Sequence, residues 1–245
     1  MTGNYIKSVL DVFLPRKCSG CKEVLQADES SICRQCLQSL KPVDPKRIER
    51  EFEKDFLPSE IISNFTSLFV FEKESILQDI IHDIKYNKQF NSAITLGKMF
   101  AQKHTNLLEE WAIDLIIPVP LHHLKKAERG FNQSDFFAKG IAKASKVKYS
   151  TNTIKRIRYT ESQTGFNKIE REENMANAFK VKKEKLVEGK NILLVDDVIT
   201  TGATIRECGK ALINSGADQV FAGSIAVTDS TFSQEPIPQE SSNHF

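Results

Sequence analysis

The sequence lacks the long apolar runs of a membrane protein, and it carries little net charge. Its apolar runs all fall well short of the roughly 20 residues that span a bilayer. The formal net charge is +2 over 245 residues, so overall electrostatics indicates no particular partner. The apolar opening at 5–14 is interrupted by charged residues, and no small-residue cleavage site follows it before Cys18. The sequence therefore predicts a cytoplasmic protein without membrane insertion, and the opening segment is expected to form a short amphipathic helix.

Cysteine is scarce, with five residues in the chain, but four of them are concentrated between positions 18 and 36. They form two Cys-x2-Cys pairs separated by eleven residues, a pattern typical of tetrahedral zinc sites. Two disulfides are the alternative, and a reducing compartment disfavours them. A site closed by four thiolates has no open position for catalysis, so a structural zinc ribbon is expected. The predicted Zn²⁺ ligands are Cys18, Cys21, Cys33 and Cys36.

The most informative segment is an apolar run at 192–195 that leads into two adjacent acids, Asp196 and Asp197. A run without polar alternation is typical of a parallel strand buried on both faces. A Thr/Gly turn at 200–204 and a helical pattern follow it. Because ligands of open parallel sheets bind just beyond the carboxyl ends of strands, the turn lies where a ligand is expected.

The residues of this turn suit a sugar phosphate. Backbone N–H groups that open a helix form a cradle for an anion, and Gly202 is expected to let the backbone approach the ligand closely. The two carboxylates suit sugar hydroxyls or a hydrated cation. The alternative is a strand that ends in solvated acids, with threonine as a helix cap.

The segment closely resembles the phosphoribosyl-pyrophosphate (PRPP) motif of type I phosphoribosyltransferases. The resemblance implies an α/β fold in which helices flank a parallel sheet, and it implies Mg²⁺ bound together with PRPP. It also implies that Asp196 and Asp197 bind the ribose hydroxyls. The residues implied to bind the 5′-phosphate are Thr200, Thr201, Gly202, Ala203 and Thr204.

A second resemblance covers most of the chain. A four-cysteine ribbon ahead of a phosphoribosyltransferase domain is similar to the ComF (competence protein F-like) family. The block Arg-Gly-Phe-Asn-Gln at 129–133 and the segment Thr-Glu-Ser-Gln at 160–163, followed by Arg171 and Asn174, are similar to blocks of that family. Phe166 is a mild departure, because the family usually has leucine one position earlier. The resemblance implies a role in natural transformation, in processing incoming single strands of DNA.

Basic residues are concentrated after the Pro-Val-Pro strand at 118–120. Between positions 121 and 160 there are ten Lys and Arg against two Asp and Glu. Lys125, Lys126 and Arg129 are expected on a loop after this strand, as donors to the pyrophosphate of PRPP. A solvated helix face and contact with nucleic-acid phosphates are the alternatives. The neighbouring pair His122–His123 is expected to lie on the surface, and no catalytic residue is assigned.

These landmarks divide the chain into four parts. We expect a leading helix and zinc ribbon over 1–45, a linker over 46–64, a phosphoribosyltransferase-like domain over 65–228 and a disordered tail over 229–245. Within the domain, the sequence predicts a strand at 65–71 and helices at 74–86 and 93–110. A polar segment at 151–179 is expected to close over the substrate.

Three functions remain open at this point. The first is an active phosphoribosyltransferase with an unknown acceptor, which includes a small-molecule base unrelated to DNA. The second is a DNA-handling protein whose partners include single-stranded DNA and other competence proteins. The third is a catalytically silent PRPP-binding regulator. All three share PRPP as the ligand, because the motif binds the donor and does not identify the acceptor.

Overall fold

A computed structural model describes residues 15–157 and 178–228 of the chain. Seven strands lie in this part: β1 (Asn64–Phe71), β2 (Leu115–Pro118), β3 (Lys148–Tyr149), β4 (Ile154–Arg156), β5 (Phe179–Val181), β6 (Asn191–Ile199) and β7 (Gln219–Thr228). Five of them form a parallel sheet in the order β1-β7-β6-β2-β3. Strands β4 and β5 form a separate antiparallel pair. The predicted α/β fold with a parallel sheet is confirmed.

Helices cover both faces of the sheet. They are α1 (Arg34–Ser39), α2 (Pro45–Asp55), α3 (Ile76–Tyr86), α4 (Phe90–Lys103), α5 (Thr105–Glu110), α6 (His123–Arg129), α7 (Gln133–Ser145) and α8 (Ala203–Ile213). Short 3₁₀ turns lie at Leu57–Ser59 and Glu184–Leu186. Apolar residues of α3, α4 and α7 fill the core on one face, and those of α8 fill the core on the other.

The apolar run before the two acids is buried from both sides. Leu193 and Val195 pack into the core beneath α4 and α7, whereas Ile192 and Leu194 pack into the core beneath α8. This alternation follows from the twofold period of a strand. The predicted central strand is therefore confirmed, and it continues through the acids to Ile199.

The topology places a crevice at the carboxyl ends of β2 and β6. The chain passes from β2 outward to β3 on one side of the sheet, and from β6 outward to β7 on the other. Open parallel sheets bind ligands where the strand order reverses in this way. The pairing of β2 with β6 ends at Pro118 and Val195, so Asp196 and Asp197 lie just beyond the end of the shorter strand.

The segment expected as a linker over 46–64 is largely helical in the structure. Most of it belongs to helix α2, which begins at Pro45 behind an Asp44 cap whose carboxylate accepts from the Lys46 N–H. Phe56, directly after this helix, is 1% exposed and packs in the core beneath α8. Charged residues make α2 look like a linker in the sequence, although Ile48 and Phe52 are partly buried against the core beneath α8.

Other predicted elements differ less. The strand expected at 65–71 begins one residue earlier, and the helix expected at 93–110 is divided at His104 into α4 and α5. Helix α3 has the predicted buried face and is capped by the Ser75 hydroxyl, which accepts from the Gln78 N–H. The leading helix, most of the closing segment and the tail after 228 lie outside the described residues. In the described ranges, no helix is both long enough and apolar enough to cross a membrane.

Candidate functional site

The first turn of α7 contacts both acids of β6. The Ser134 hydroxyl donates to Asp196 Oδ1 over 2.8 Å, and the Gln133 side-chain amide donates to Asp197 Oδ1 over 3.4 Å. The backbone N–H of Asp197 also donates to Asp196 Oδ1. Asp197 is 6% exposed and Asp196 is half-buried. On its other side, α7 packs backbone to backbone on α4, because Gly97 and Gly140 have no side chains at this contact.

Lys85 is a residue of this site that the sequence left without a role. It lies in the last turn of α3, and its Nζ is 2.6 Å from Asp197 Oδ2. The next residue, Tyr86, lies beneath the guanidinium of Arg129, 5.2 Å from ring centroid to Cζ. Arg129 in turn donates to Gln133 Oε1 over 3.0 Å. The ends of α3 and α6 and the start of α7 are thereby joined around the acidic pair.

The two acids differ in their electrostatic surroundings. Burial, and then the charge of Asp197, raise the pKa of Asp196 to about 8. Burial would raise the pKa of Asp197 as well, but the Lys85 ammonium outweighs it, so this pKa lies below its usual range. In the free protein near neutral pH, the negative charge of the pair is therefore concentrated on Asp197.

The predicted phosphate loop opens helix α8. The helix begins at Ala203 with Gly202 as its N-cap, and a glycine has no side chain that could accept from the first N–H groups. Those N–H groups carry the positive end of the helix dipole, and they suit an anion. Thr200 is exposed, and Thr201, Ala203 and Thr204 are half-buried.

Gly202 has a backbone conformation and a close neighbour that both require glycine. Its φ of +67° lies in the left-handed region, and a Cβ on this residue would lie 2.7 Å from Phe56 Cε1. The missing side chain therefore makes room for the Phe56 ring. Arg206 strengthens the same junction, because its Nη1 donates to the carbonyl oxygens of Thr201 and Asp55. The end of α2 supports the loop from beneath.

The predicted cationic residues lie on a helix and not on a loop. Lys125 and Arg129 are four residues apart on α6, a spacing that puts them on one helix face. Burial lowers the pKa of Lys125, and the nearby charges of Arg156, Arg129 and Lys85 lower it further. These four residues form a cationic cluster: Lys85, Lys125, Arg129 and Arg156. Arg156 lies within the basic stretch at 121–160.

Lys126 and His122 have surroundings that differ from those expected from the sequence. Lys126 is close enough to Asp135 for its charge to lower the pKa of that acid, which burial nevertheless raises to about 6. His122 is 3% exposed, so the surface position expected for it is wrong. Its Nδ1 accepts from the Leu124 N–H and caps α6, while its ring packs on the exposed His123.

The four clustered cysteines have the geometry of a metal site. Their Sγ atoms all lie within 4.8 Å of one another, and those of Cys21 and Cys33 are 3.8 Å apart. A tetrahedral ion with bonds of about 2.3 Å places its sulfur ligands about 3.8 Å apart. Burial raises the pKa of the Cys18 thiol, but backbone N–H donors such as those of Cys33 and Gly20 outweigh it and lower this pKa to about 7. The cluster could therefore hold a metal ion.

The cysteine module, residues 15–41, packs directly on α3 and α4. The Ser19 and Ser92 hydroxyls share a buried hydrogen bond of 2.6 Å, and Lys22 Nζ lies 2.7 Å from Asp83 Oδ2. Gly20 lies so close to Ile76 that a Cβ would be 2.9 Å from its Cγ2. The module is thus attached to α3, the helix whose last turn contains Lys85.

Comparison with known proteins agrees with this architecture. A family model described as a phosphoribosyl transferase domain matches residues 133–231, which include α7, the acids and the loop. Competence protein F of Haemophilus influenzae is 31% identical over 156 residues, which cover 61% of this chain and 67% of that protein.

Two further relatives carry names of the same kind. The DNA utilization protein YhgH of Salmonella typhi is 31% identical over 144 residues, covering 58% of this chain and 63% of that protein. Competence protein ComFC of Bacillus subtilis is 26% identical over 186 residues, covering 76% and 68%. The matched stretches thus span about two thirds of each relative's length. The chain belongs to the competence protein F (ComF) family, and its parallel sheet with flanking helices is a phosphoribosyltransferase domain.

Proposed function

We propose that the chain is a PRPP-binding protein of the phosphoribosyltransferase type that acts in handling DNA taken up by the cell. One observation supports the ligand assignment: the loop that opens α8 directly follows the acidic pair of β6, and Lys85, paired with Asp197, belongs to a cluster of cations. A sugar with a phosphate at one end and a pyrophosphate at the other needs those three kinds of group.

In this proposal each part of the crevice binds one part of PRPP. Asp196 and Asp197 accept from the ribose hydroxyls, and the loop at 200–204 donates N–H and hydroxyl groups to the 5′-phosphate. Lys125 and Arg129, which belong to the same cationic cluster as Lys85, balance the pyrophosphate charge, and Lys126 on the same helix adds to it. Mg²⁺ bound with PRPP supplies charge neutralisation on the pyrophosphate.

Zn²⁺ is the metal that we propose for the cysteine cluster. Four thiolates favour a soft or borderline cation, and the 3.8 Å between the Cys21 and Cys33 sulfurs fits a tetrahedral Zn²⁺ site. The residues that hold it are Cys18, Cys21, Cys33 and Cys36. Its role in this proposal is structural, since the module packs against α3 and α4.

The role in DNA uptake is supported by the names of the relatives. Competence protein F, ComFC and YhgH are named for competence or DNA utilization. The cationic cluster suits DNA phosphates as well as pyrophosphate. Turnover with a base acceptor and a silent, regulatory role both use the same donor site, so the acceptor assay below separates them.

The donor site is tested by calorimetric titration of the metal-loaded protein with PRPP and Mg²⁺. Wild type is expected to bind saturably, and Asp196→Asn/Asp197→Asn is expected to lose binding. Asp79→Asn/Asp218→Asn removes two exposed acids and should bind like wild type. Absence of binding by the wild type, or equal binding by the acid-pair variant, would refute the assignment. Circular dichroism and urea unfolding establish that each variant is folded.

The DNA role is tested separately with a labelled single-stranded oligonucleotide at two salt concentrations. Binding that weakens with salt and with Lys125→Met/Arg129→Met supports it. Pyrophosphate release, with bases and oligonucleotide offered as acceptors, then separates an enzyme from a regulator. An oligonucleotide that neither binds nor stimulates pyrophosphate release would leave the protein without its proposed DNA role.

A further inference from the structure

The ion pair between Lys85 and Asp197 joins a distant helix to the acidic pair. The two side chains are 25% and 8% exposed, and their charged atoms are 2.6 Å apart. Lys85 comes from α3, whereas the other contacts of the acids come from β6 itself and from α7. Lys85 therefore joins a third element, α3, to the acidic pair.

Lys85 forms an ion pair with one of the two acids only, in the described part of the chain. Its Nζ pairs with Asp197, while Asp196 is contacted by the neutral hydroxyl of Ser134. Two adjacent carboxylates in a buried site repel each other, and a single fixed cation favours the charged form of the acid that it touches. Lys85 thus favours the charged form of Asp197, the acid that it touches.

The end of α3 is itself held in place from two directions. Tyr86 packs beneath Arg129, which is bonded to Gln133, and Gln133 donates to Asp197. From the other direction, Asp83 on the preceding turn pairs with Lys22 of the cysteine module. These contacts hold the end of α3 on either side of Lys85, whose ammonium pairs with a carboxylate that is 8% exposed.

We propose that Lys85 is a positioning residue of the ligand site, whose ammonium holds the Asp197 carboxylate in the crevice so that it can accept from a sugar hydroxyl. This inference rests on the PRPP-binding function proposed above. Lys85 acts through Asp197 and does not bind the phosphates. The groups that face Asp197 are Lys85 from α3, Gln133 from α7 and Asp196 from β6, with the Lys125 and Arg129 charges of α6 beyond them.

A double-mutant cycle distinguishes an indirect role from a direct one. The variants are Lys85→Met, Asp197→Asn and the two together, each titrated with PRPP and Mg²⁺ by calorimetry. If Lys85 acts through Asp197, each single change weakens binding at least about tenfold, and the double variant binds no more weakly than Asp197→Asn. Losses that multiply in the double variant would show that Lys85 contacts the ligand itself, and would overturn the proposal.

Matched variants separate position from charge. Lys85→Arg keeps the cation and is expected to bind within about threefold of wild type, because a guanidinium can also pair with a carboxylate. Lys98→Met removes an exposed lysine of α4 and should leave binding unchanged. If Lys85→Met does not fold, Lys85→Gln takes its place, since the amide can donate to Asp197 without a charge. Weakening by Lys98→Met equal to that by Lys85→Met would also overturn the proposal.

A titration without ligand gives a second readout that does not depend on PRPP. Carboxyl ¹³C resonances of the free protein are followed against pH in wild type and Lys85→Met. The pKa of Asp197 is expected to rise by more than about one unit when the ammonium is removed. An unchanged pKa would overturn the positioning role. If the wild type fails to bind PRPP, the function proposed above fails, and this titration still decides the role of Lys85.

Discussion

Replacement of Gly202 by alanine is expected to destabilise the folded protein through two separable effects. The backbone at Gly202 has a φ of +67°, and the left-handed region costs an L-residue roughly 1–2 kcal/mol. The new Cβ would also lie 2.7 Å from Phe56 Cε1 and 2.8 Å from Cζ. Phe56 is 1% exposed and cannot swing into solvent, so overpacking should add about 1–3 kcal/mol. The expected loss in free energy of unfolding is about 2–5 kcal/mol.

The assay is urea unfolding followed by circular dichroism, with two further variants that separate the effects. Gly189→Ala is the matched control, because Gly189 has a φ of +63° but nothing within 4 Å of its Cβ position. It should lose only the roughly 1–2 kcal/mol of the backbone effect. Phe56→Leu removes the ring atoms that clash, so the cost of Gly202→Ala should be smaller in that background by about 1–3 kcal/mol.

Equal losses for Gly202→Ala and Gly189→Ala would refute the role of Phe56 as the neighbour that requires glycine at 202. So would a Gly202→Ala cost that does not change in the Phe56→Leu background. Either result would return Gly202 to the role expected from the sequence, which was close approach of a ligand to the backbone. Weakened PRPP binding by a Gly202 variant is therefore informative only when unfolding is measured on the same protein.

We also expect stability to depend on pH through Asp196, and the cysteine module to depend on its metal. Because the pKa of Asp196 rises from 3.8 to about 8 on folding, the folded protein keeps a proton that the unfolded chain releases. The free energy of unfolding should therefore fall between about pH 4 and 8, by up to about 1.4 kcal/mol per pH unit, and Asp196→Asn should reduce that slope in urea titrations. Equal slopes in the two proteins would contradict this. Removal of the metal with a chelator should increase amide hydrogen exchange in residues 15–41 and in the parts of α3 and α4 that they cover. The metal content of two variants is the control: Cys18→Ser should lose the metal, and Cys208→Ala should retain it. Unchanged exchange in the chelated protein would show that the module folds without metal.

Several features of the fold could be predicted because they depend on residues close in sequence. The run at 192–195 has to be buried on both faces whatever surrounds it, and the alternation of strands with helices implies a parallel sheet. The four cysteines approach one another because each Cys-x2-Cys pair already brings two thiols to one turn. The apolar face of α3 was visible from its spacing, and Leu77, Ile80, Ile81 and Ile84 are all buried.

The features that were wrong or missing depend on contacts between distant segments. The charged stretch after Pro45 looks like a linker, yet its end places Phe56 beneath Gly202 and the Asp55 carbonyl on Arg206, about 150 positions away. A local pattern contains no information on such a contact, because hydrophobic packing depends on which surfaces meet. His122 likewise looked exposed beside another histidine, but the helix that follows uses it as a cap.

The sequence by itself determined the chemical groups of the candidate site: two adjacent acids, a loop that opens a helix, basic residues after a second strand and four thiols. These groups could be identified because each depends on the types of a few residues and on their spacing in the sequence. Only the tertiary structure decided that Lys85 pairs with Asp197, that Lys125 and Arg129 share a helix face near Arg156, and that the cysteine module packs on α3. Coulomb interactions and packing act over a few ångströms in space, so the partners of a charge are set by the path of the whole chain.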